Sequence, residues 1–156
     1  MKLQAFLPLV TYPDASADAI AAHAVAIAAR LDAALHARVM IPDFPPVSNT
    51  LSRLLFDLPK VIEDTEAASR GRGAHLLARV REAAAAAGIE VTAGEVTAPL
   101  AGLADAAAAQ ARYHDVGLVG WEAGNAASQM TAEAVTFRAG RPAALLAELW
   151  GHPGPP

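Results

Sequence analysis

Apolar residues fall in short runs separated by alanine-rich amphipathic stretches. Leu3–Val10 is an apolar run stopped by Thr11-Tyr12-Pro13-Asp14, the pattern of a strand buried on both faces. Ile20, Ala24, Ile27, Ala28 and Leu31 then recur at helical spacing, which predicts a helix over Ala17–Leu31 capped by Asp14 or Ser16. Leu35–Ile41 reads as a second strand ended by Pro42. Residues 42–60 form a proline-punctuated insertion in which Leu51, Leu54, Leu55 and Leu58 share one side of a short helix. Pro59 marks the break before a long helix, Val61–Ala87. Gly71 and Gly73 weaken that helix by about 1 kcal/mol each relative to alanine, and Gly88 is its stop. Strands then follow at Ile89–Val96, Val116–Gly120 and Pro142–Leu149, alternating with helices at Leu103–Tyr113 and about Thr131–Ala139.

Strands that alternate with helices predict a parallel sheet covered on both faces. Right-handed crossovers leave few topologies, and the flavodoxin-like order 3-2-1-4-5 fits best. Five strands in that order put the switch point between strands one and four. Any ligand is then expected near Val10, Thr11 and Tyr12 on one side and Gly120 and Trp121 on the other. One domain over 1–150 is expected, with 151–156 a tail or linker.

Composition narrows the function classes. The 156 residues are 54% hydrophobic but only 5% aromatic, so the core should be aliphatic. A net charge of −4 argues against nonspecific nucleic-acid binding, which needs a basic face. There is no cysteine, hence no disulfide, thiol catalysis or cysteine-ligated metal. No apolar run reaches the ~18 residues that span a bilayer. Lys2 and LQAFLPLV, followed by Ala15-Ser16-Ala17, faintly resemble a signal peptide, but the run is short and broken by Gln4. A cytoplasmic, membrane-free protein is expected.

The stretch from His114 to Leu149 resembles the C-terminal part of universal stress protein domains. The matching residues are Asp115, Gly120, Ala132-Glu133 and Pro142. FLPLVTY is similar to the family's opening strand, with Pro8 on its proline. The insertion looks like that of a bacterial branch with two domains in tandem, and the chain is most similar to the first of them. The resemblance implies an adenine nucleotide alpha hydrolase-like fold and a nucleotide cleft at Val10, Thr11, Tyr12, Ile41, Gly120, Trp121, Gly124 and Thr131. It also shows departures. The family's base-contacting aspartate falls on Val10 or Thr11. In the phosphate loop Gly-x2-Gly-x9-Gly-Ser/Thr, Ala123 takes the second glycine, with Gly124 adjacent, and Gln129-Met130 the final pair. The loop is about four residues short of the family's, and Glu122 at its mouth would repel phosphate. The cleft therefore reads as vestigial, with Trp121 plugging it against Tyr12.

Other chemistry reads as structural. His23, His36, His75, His114 and His152 lack metal-ligand spacing. His114 ends a helix, where a cation suits the dipole. Glu66 and Arg70 pair four apart beside the Ser69-Arg70-Gly71-Arg72-Gly73 run. Ser48-Asn49-Thr50 and Ser128 lack a nucleophile elbow. Asp43, Asp57, Glu63 and Asp64 read as caps and solvated charges. The expectation is a non-enzymatic regulatory or protective domain that needs no cofactor or metal and acts through an unidentified protein partner. The alternative is a stress sensor that binds ATP or AMP through a rearranged Gly120 loop. Pro142–Leu149 is an apolar edge strand, so a homodimer or tandem pseudo-dimer through it is expected, with Leu146 on the pairing surface.

Overall fold

The computed structural model describes residues 1–46, 50–51 and 57–147. Its strands are β1 (Leu3–Val10), β2 (Ala33–Asp43), β3 (Val91–Pro99), β4 (Val116–Trp121) and β5 (Ala143–Ala147). They form one parallel sheet of order β3-β2-β1-β4-β5, as expected. The helices are α1 (Ala19–Arg30), α2 (Leu58–Ala87), α3 (Leu103–Ala111) and α4 (Ala126–Arg138), with one 3₁₀ turn before α3. No helix among the described residues is long and apolar enough to cross a membrane.

Strand side chains alternate between two cores. Ala5, Leu7, Leu9, Val39, Ile41, Leu118 and Leu146 meet α1 and α2. Phe6, Met40 and Val119 meet α3 and α4. The long runs in β1 and β2 are thus apolar because both faces are covered. Small residues set how closely the helices approach. A Cβ on Gly117 would lie 2.8 Å from Val135 Cγ1 of α4, and one on Gly73 would lie 3.0 Å from Val39 Cγ2. Gly73 therefore trades helix propensity for close packing of α2 on β2.

Several boundaries differ from the sequence reading. Pro59 lies in the first turn of α2 rather than before it, a position where its missing N–H costs nothing. Pro42 does not end β2, because β1 has already stopped opposite Met40 and the strand runs on along β3 alone. Neither Asp14 nor Ser16 caps α1. Ser16 Oγ instead accepts from Val10 N at 3.0 Å, which fastens the loop to β1. α4 starts five residues before Thr131, because Asn125 caps it. Gly88 does end α2, in a left-handed conformation with φ of 69°. Glu66 and Arg70 do pair, at 3.9 Å. Leu54, Leu55, Leu149 and the 151–156 tail lie outside the described residues.

A histidine pair closes the amino end of the sheet on the α3/α4 side. His114 stacks on Phe6 with centroids 5.0 Å apart, and His36 lies 4.9 Å from His114. Gln4 Oε1 meets His36 Nε2, and Thr92 Oγ1 lies 3.1 Å from His36 Nδ1. Burial holds His36 below its ordinary pKa. The His114 and Arg38 charges push the same way, and Glu90 opposes them.

Two predictions follow from this packing. Gly117→Ala should cost about 1–3 kcal/mol through the clash with Val135, read as a lower urea midpoint at unchanged slope. For His36, the folded state binds fewer protons than the unfolded chain as the solution turns acid. Its contribution is complete above about pH 6.5 and is lost as pH falls through the lower folded value. Urea midpoints should therefore fall between about pH 7.5 and pH 5, with a shallower slope in His36→Gln. An identical slope in the variant would assign the effect to other groups.

Candidate functional site

The crevice lies where the strand order reverses, between the carboxyl ends of β1 and β4. Val10 and Thr11 end β1 and are buried. Thr11 Oγ1 donates to Met40 O at 2.8 Å, and Arg72 Nε of α2 donates to Thr11 O at 2.8 Å. Tyr12 packs edge-on against Phe44 with centroids 5.4 Å apart. Its aromatic partner is therefore Phe44 and not Trp121. Trp121 ends β4 beside Ala147 of β5 and stays 38% exposed. Ile41 is buried in the α1/α2 core, and a Cβ on Gly73 would lie 3.4 Å from its Cδ1.

Glu122 departs most from the sequence reading. It does not stand at the mouth but is 3% exposed. Its Oε1 accepts from Ala17 N at 2.9 Å, just ahead of α1. Its Oε2 accepts from Asn125 Nδ2 at 3.2 Å. A carboxylate at the amino end of a helix is favoured by the orphan N–H groups and by the dipole. The charge of Glu122 thus joins the end of β4 to the start of α1. Gly120 lets α1 pack closely beside this bond, since a Cβ there would lie 3.2 Å from Ile20 Cδ1.

The following turn is bonded by its own side chains. Asn125 N donates to Glu122 O at 3.2 Å, and Gly124 takes φ of 78°, which favours glycine. Asn125 Oδ1 accepts from Ser128 N at 3.1 Å and caps α4. Ser128 Oγ donates to Gly120 O at 2.8 Å, and Gln129 Nε2 donates to Glu122 O at 3.2 Å. Thr131 is buried, with its hydroxyl donating to Ala127 O at 2.8 Å. The structure thus brings Val10, Thr11, Gly120 and Gly124 to one end of the sheet. It adds Glu122, Asn125 and Arg72, which the sequence reading did not place there. An Asn-x-x-Ser run before an apolar helix was the available signal for the Asn125 cap. No group of three His, Asp or Glu side chains among the described residues could hold a metal.

The sequence matches no protein-family model and no curated protein. Solved structures do match. The universal stress protein UspA from Lactobacillus plantarum superposes with a TM-score of 0.61 at 20% identity, over 94% of this chain and 99% of that one. The fold is that of the universal stress proteins. A universal stress protein in complex with cAMP gives 0.55 at 18% identity, over 94% and 98% of the two chains. An Arabidopsis thaliana universal stress protein family protein with AMP bound gives 0.56 at 14%, over 93% and 91%. This universal stress protein fold covers nearly the whole chain.

The Glu122 contacts generate a direct test. Glu122→Ala leaves the Ala17 N–H and the Asn125 amide without their carboxylate. Losing such a partner in a buried place costs about 1–3 kcal/mol. The melting temperature should fall, and hydrogen exchange at the Ala17 amide should accelerate more than at Val119. Uniform exchange changes across the sheet would refute the linking role.

Proposed function

We propose that this chain is a universal stress protein-type regulatory or protective domain, not an enzyme, whose nucleotide crevice is closed by its own side chains. One observation carries the reading. Glu122 lies buried between β4 and α1, Asn125 Oδ1 takes up the Ser128 N–H at the start of α4, and Ser128 and Gln129 tie the carbonyls of Gly120 and Glu122 into the same turn. A bound phosphate would have to displace the Asn125 cap and sit close to a buried carboxylate. Coulomb repulsion and the lost cap oppose that. The domain then acts through protein association.

The second reading is an adenine-nucleotide sensor. Two structural neighbours carry cAMP and AMP. Arg72 also brings a guanidinium to the end of β1. Calorimetric titration with ATP, AMP and cAMP, with and without magnesium, separates the readings. No dissociation constant tighter than about 10 μM is expected, roughly −7 kcal/mol. Tighter binding, abolished by Arg72→Ala, would establish the sensor instead.

Self-association belongs to the same proposal. Among the described residues β5 pairs only with β4, and its outer edge has no strand partner there. An apolar groove of about 400 Å³ runs beside it, lined by His23, Ala26, Ile27, Arg30 and Leu145 to Ala147. Leu146 is 4% exposed and packs in the core, so a charge there would unfold the chain rather than test pairing. Leu145 is 54% exposed and is the residue to change. Light scattering should report a dimer that Leu145→Asp weakens at unchanged melting temperature. A wild-type monomer at ~100 μM, far above the dissociation constant of a stable dimer, would reject edge pairing.

A further inference from the structure

The outer surface of α3 and α4 carries a second feature, remote from the crevice. A groove of about 350 Å³ runs between the two helices. Met130 and Phe137 are its large apolar members, small alanines separate them from α3, and Asp105, Glu133 and Arg138 are its charged lining. Met130, Ala134 and Phe137 follow 4-then-3 spacing, so they lie along one face of α4. Phe137 is 81% exposed. Nothing in the fold needs an aromatic ring in water at that place.

Arg138 lines the groove, and two further arginines join it through backbone carbonyls at the ends of α3 and α4. Arg112 donates through Nε and Nη2 to Arg138 O, at 3.3 and 2.9 Å. Arg141 Nε donates to Arg112 O at 3.0 Å. Arg138 pairs with Asp105 on the groove rim. These carbonyl bonds cap the ends of α3 and α4 and hold the guanidiniums in place. They use only one or two of the five N–H donors of each. Among the described residues, neither Arg112 nor Arg141 forms an ion pair. Two positioned positive charges therefore stand uncompensated in a chain of net charge −4. Exposed Tyr113 stands next to them.

We infer that the α3/α4 groove is a docking surface for an amphipathic helical segment of a partner protein, apolar along one face and acidic at one end. The apolar face fills the groove against Met130 and Phe137, and the acidic end meets Arg112, Arg138 and Arg141. Helix-in-groove recognition uses this combination of apolar anchors and a charged rim. The inference rests on the reading that the domain works through protein association, and it names the chemistry of the partner. Charge decides against a second copy of the chain. Two α4 helices packed antiparallel would set the first turn of one beside the arginines of the other. That turn has no acidic residue, and its helix end is itself positive.

The test uses the full chain and fluorescein-labelled synthetic helical peptides. Each has leucine at i, i+3, i+4 and i+7, and they end in either a glutamate or a lysine run. Anisotropy titrations should show the glutamate peptide binding at least about tenfold tighter than the lysine peptide. Phe137→Ser should weaken it about tenfold, and Arg141→Glu should reverse the preference between the two peptides. Amide shifts on binding should centre on Ala104, Glu133 and Arg138. Equal binding of the two peptides, binding unaffected by Phe137→Ser, or shifts centred on β5 would each overturn the assignment. So would tighter binding of a single-stranded oligonucleotide, which would mark the arginines as a nucleic-acid contact. A fall in molar mass on Phe137→Ser would mark a homotypic face. If peptide binding fails while Leu145→Asp still breaks a dimer, the groove assignment alone falls and the association reading stands.

Discussion

The distance at which the helices sit on the sheet governs the architecture. Gly117 lies under Val135, Gly73 over Val39 and Gly120 under Ile20, each where a Cβ would press into its neighbour. Alanines fill much of the remaining interface on both faces. Few large side chains are available, since aromatics are 5% of the chain. Close approach of backbones is the way such a composition reaches the packing density of a protein interior.

The Glu122 carboxylate turns inward and meets the amide of Ala17, just ahead of α1, instead of pointing to solvent. The same residue takes the Asn125 amide, and Asn125 in turn caps α4. A chain of three bonded groups thus spans the reversal point of the sheet. Local dipoles make the arrangement favourable: α1 presents its positive end, and the carboxylate supplies the opposing charge. Exposed Phe137 and Tyr113 and the arginines Arg112, Arg138 and Arg141 lie apart from this arrangement, on the outer side of α3 and α4.

Much of the fold was legible in the chain. Apolar runs bounded by proline, glycine and aspartate marked all five strands, and their alternation with alanine stripes implied the parallel order. Helix ends were less legible. α4 begins at Ala126 because the Asn125 side chain captures an amide, a preference that helical spacing around Ala132 and Val135 does not register. Pro42 looked like a stop, yet β2 continues past it because only β3 remains alongside. The aromatic partner of Tyr12 was misassigned, since Trp121 and Tyr12 share an end of the sheet but Phe44 is nearer in the folded chain.

The sequence by itself determined the strand count, the order of the sheet, its reversal point and the weak match to a phosphate loop. These follow from periodicity and from glycine and proline positions, which act over a few residues. Tertiary structure decided the direction of each polar side chain. Glu122 was equally compatible with a mouth or a buried position until the Ala17 amide, just ahead of α1, came within 2.9 Å of it. Arg112 stood far along the chain from Arg138 and Arg141 until the ends of α3 and α4 brought them together. Leu145 and Leu146 were indistinguishable apolar neighbours until the pleat sent one to the core and left the other exposed. Such choices depend on which surfaces meet across the fold, and long-range contact is not encoded in local spacing.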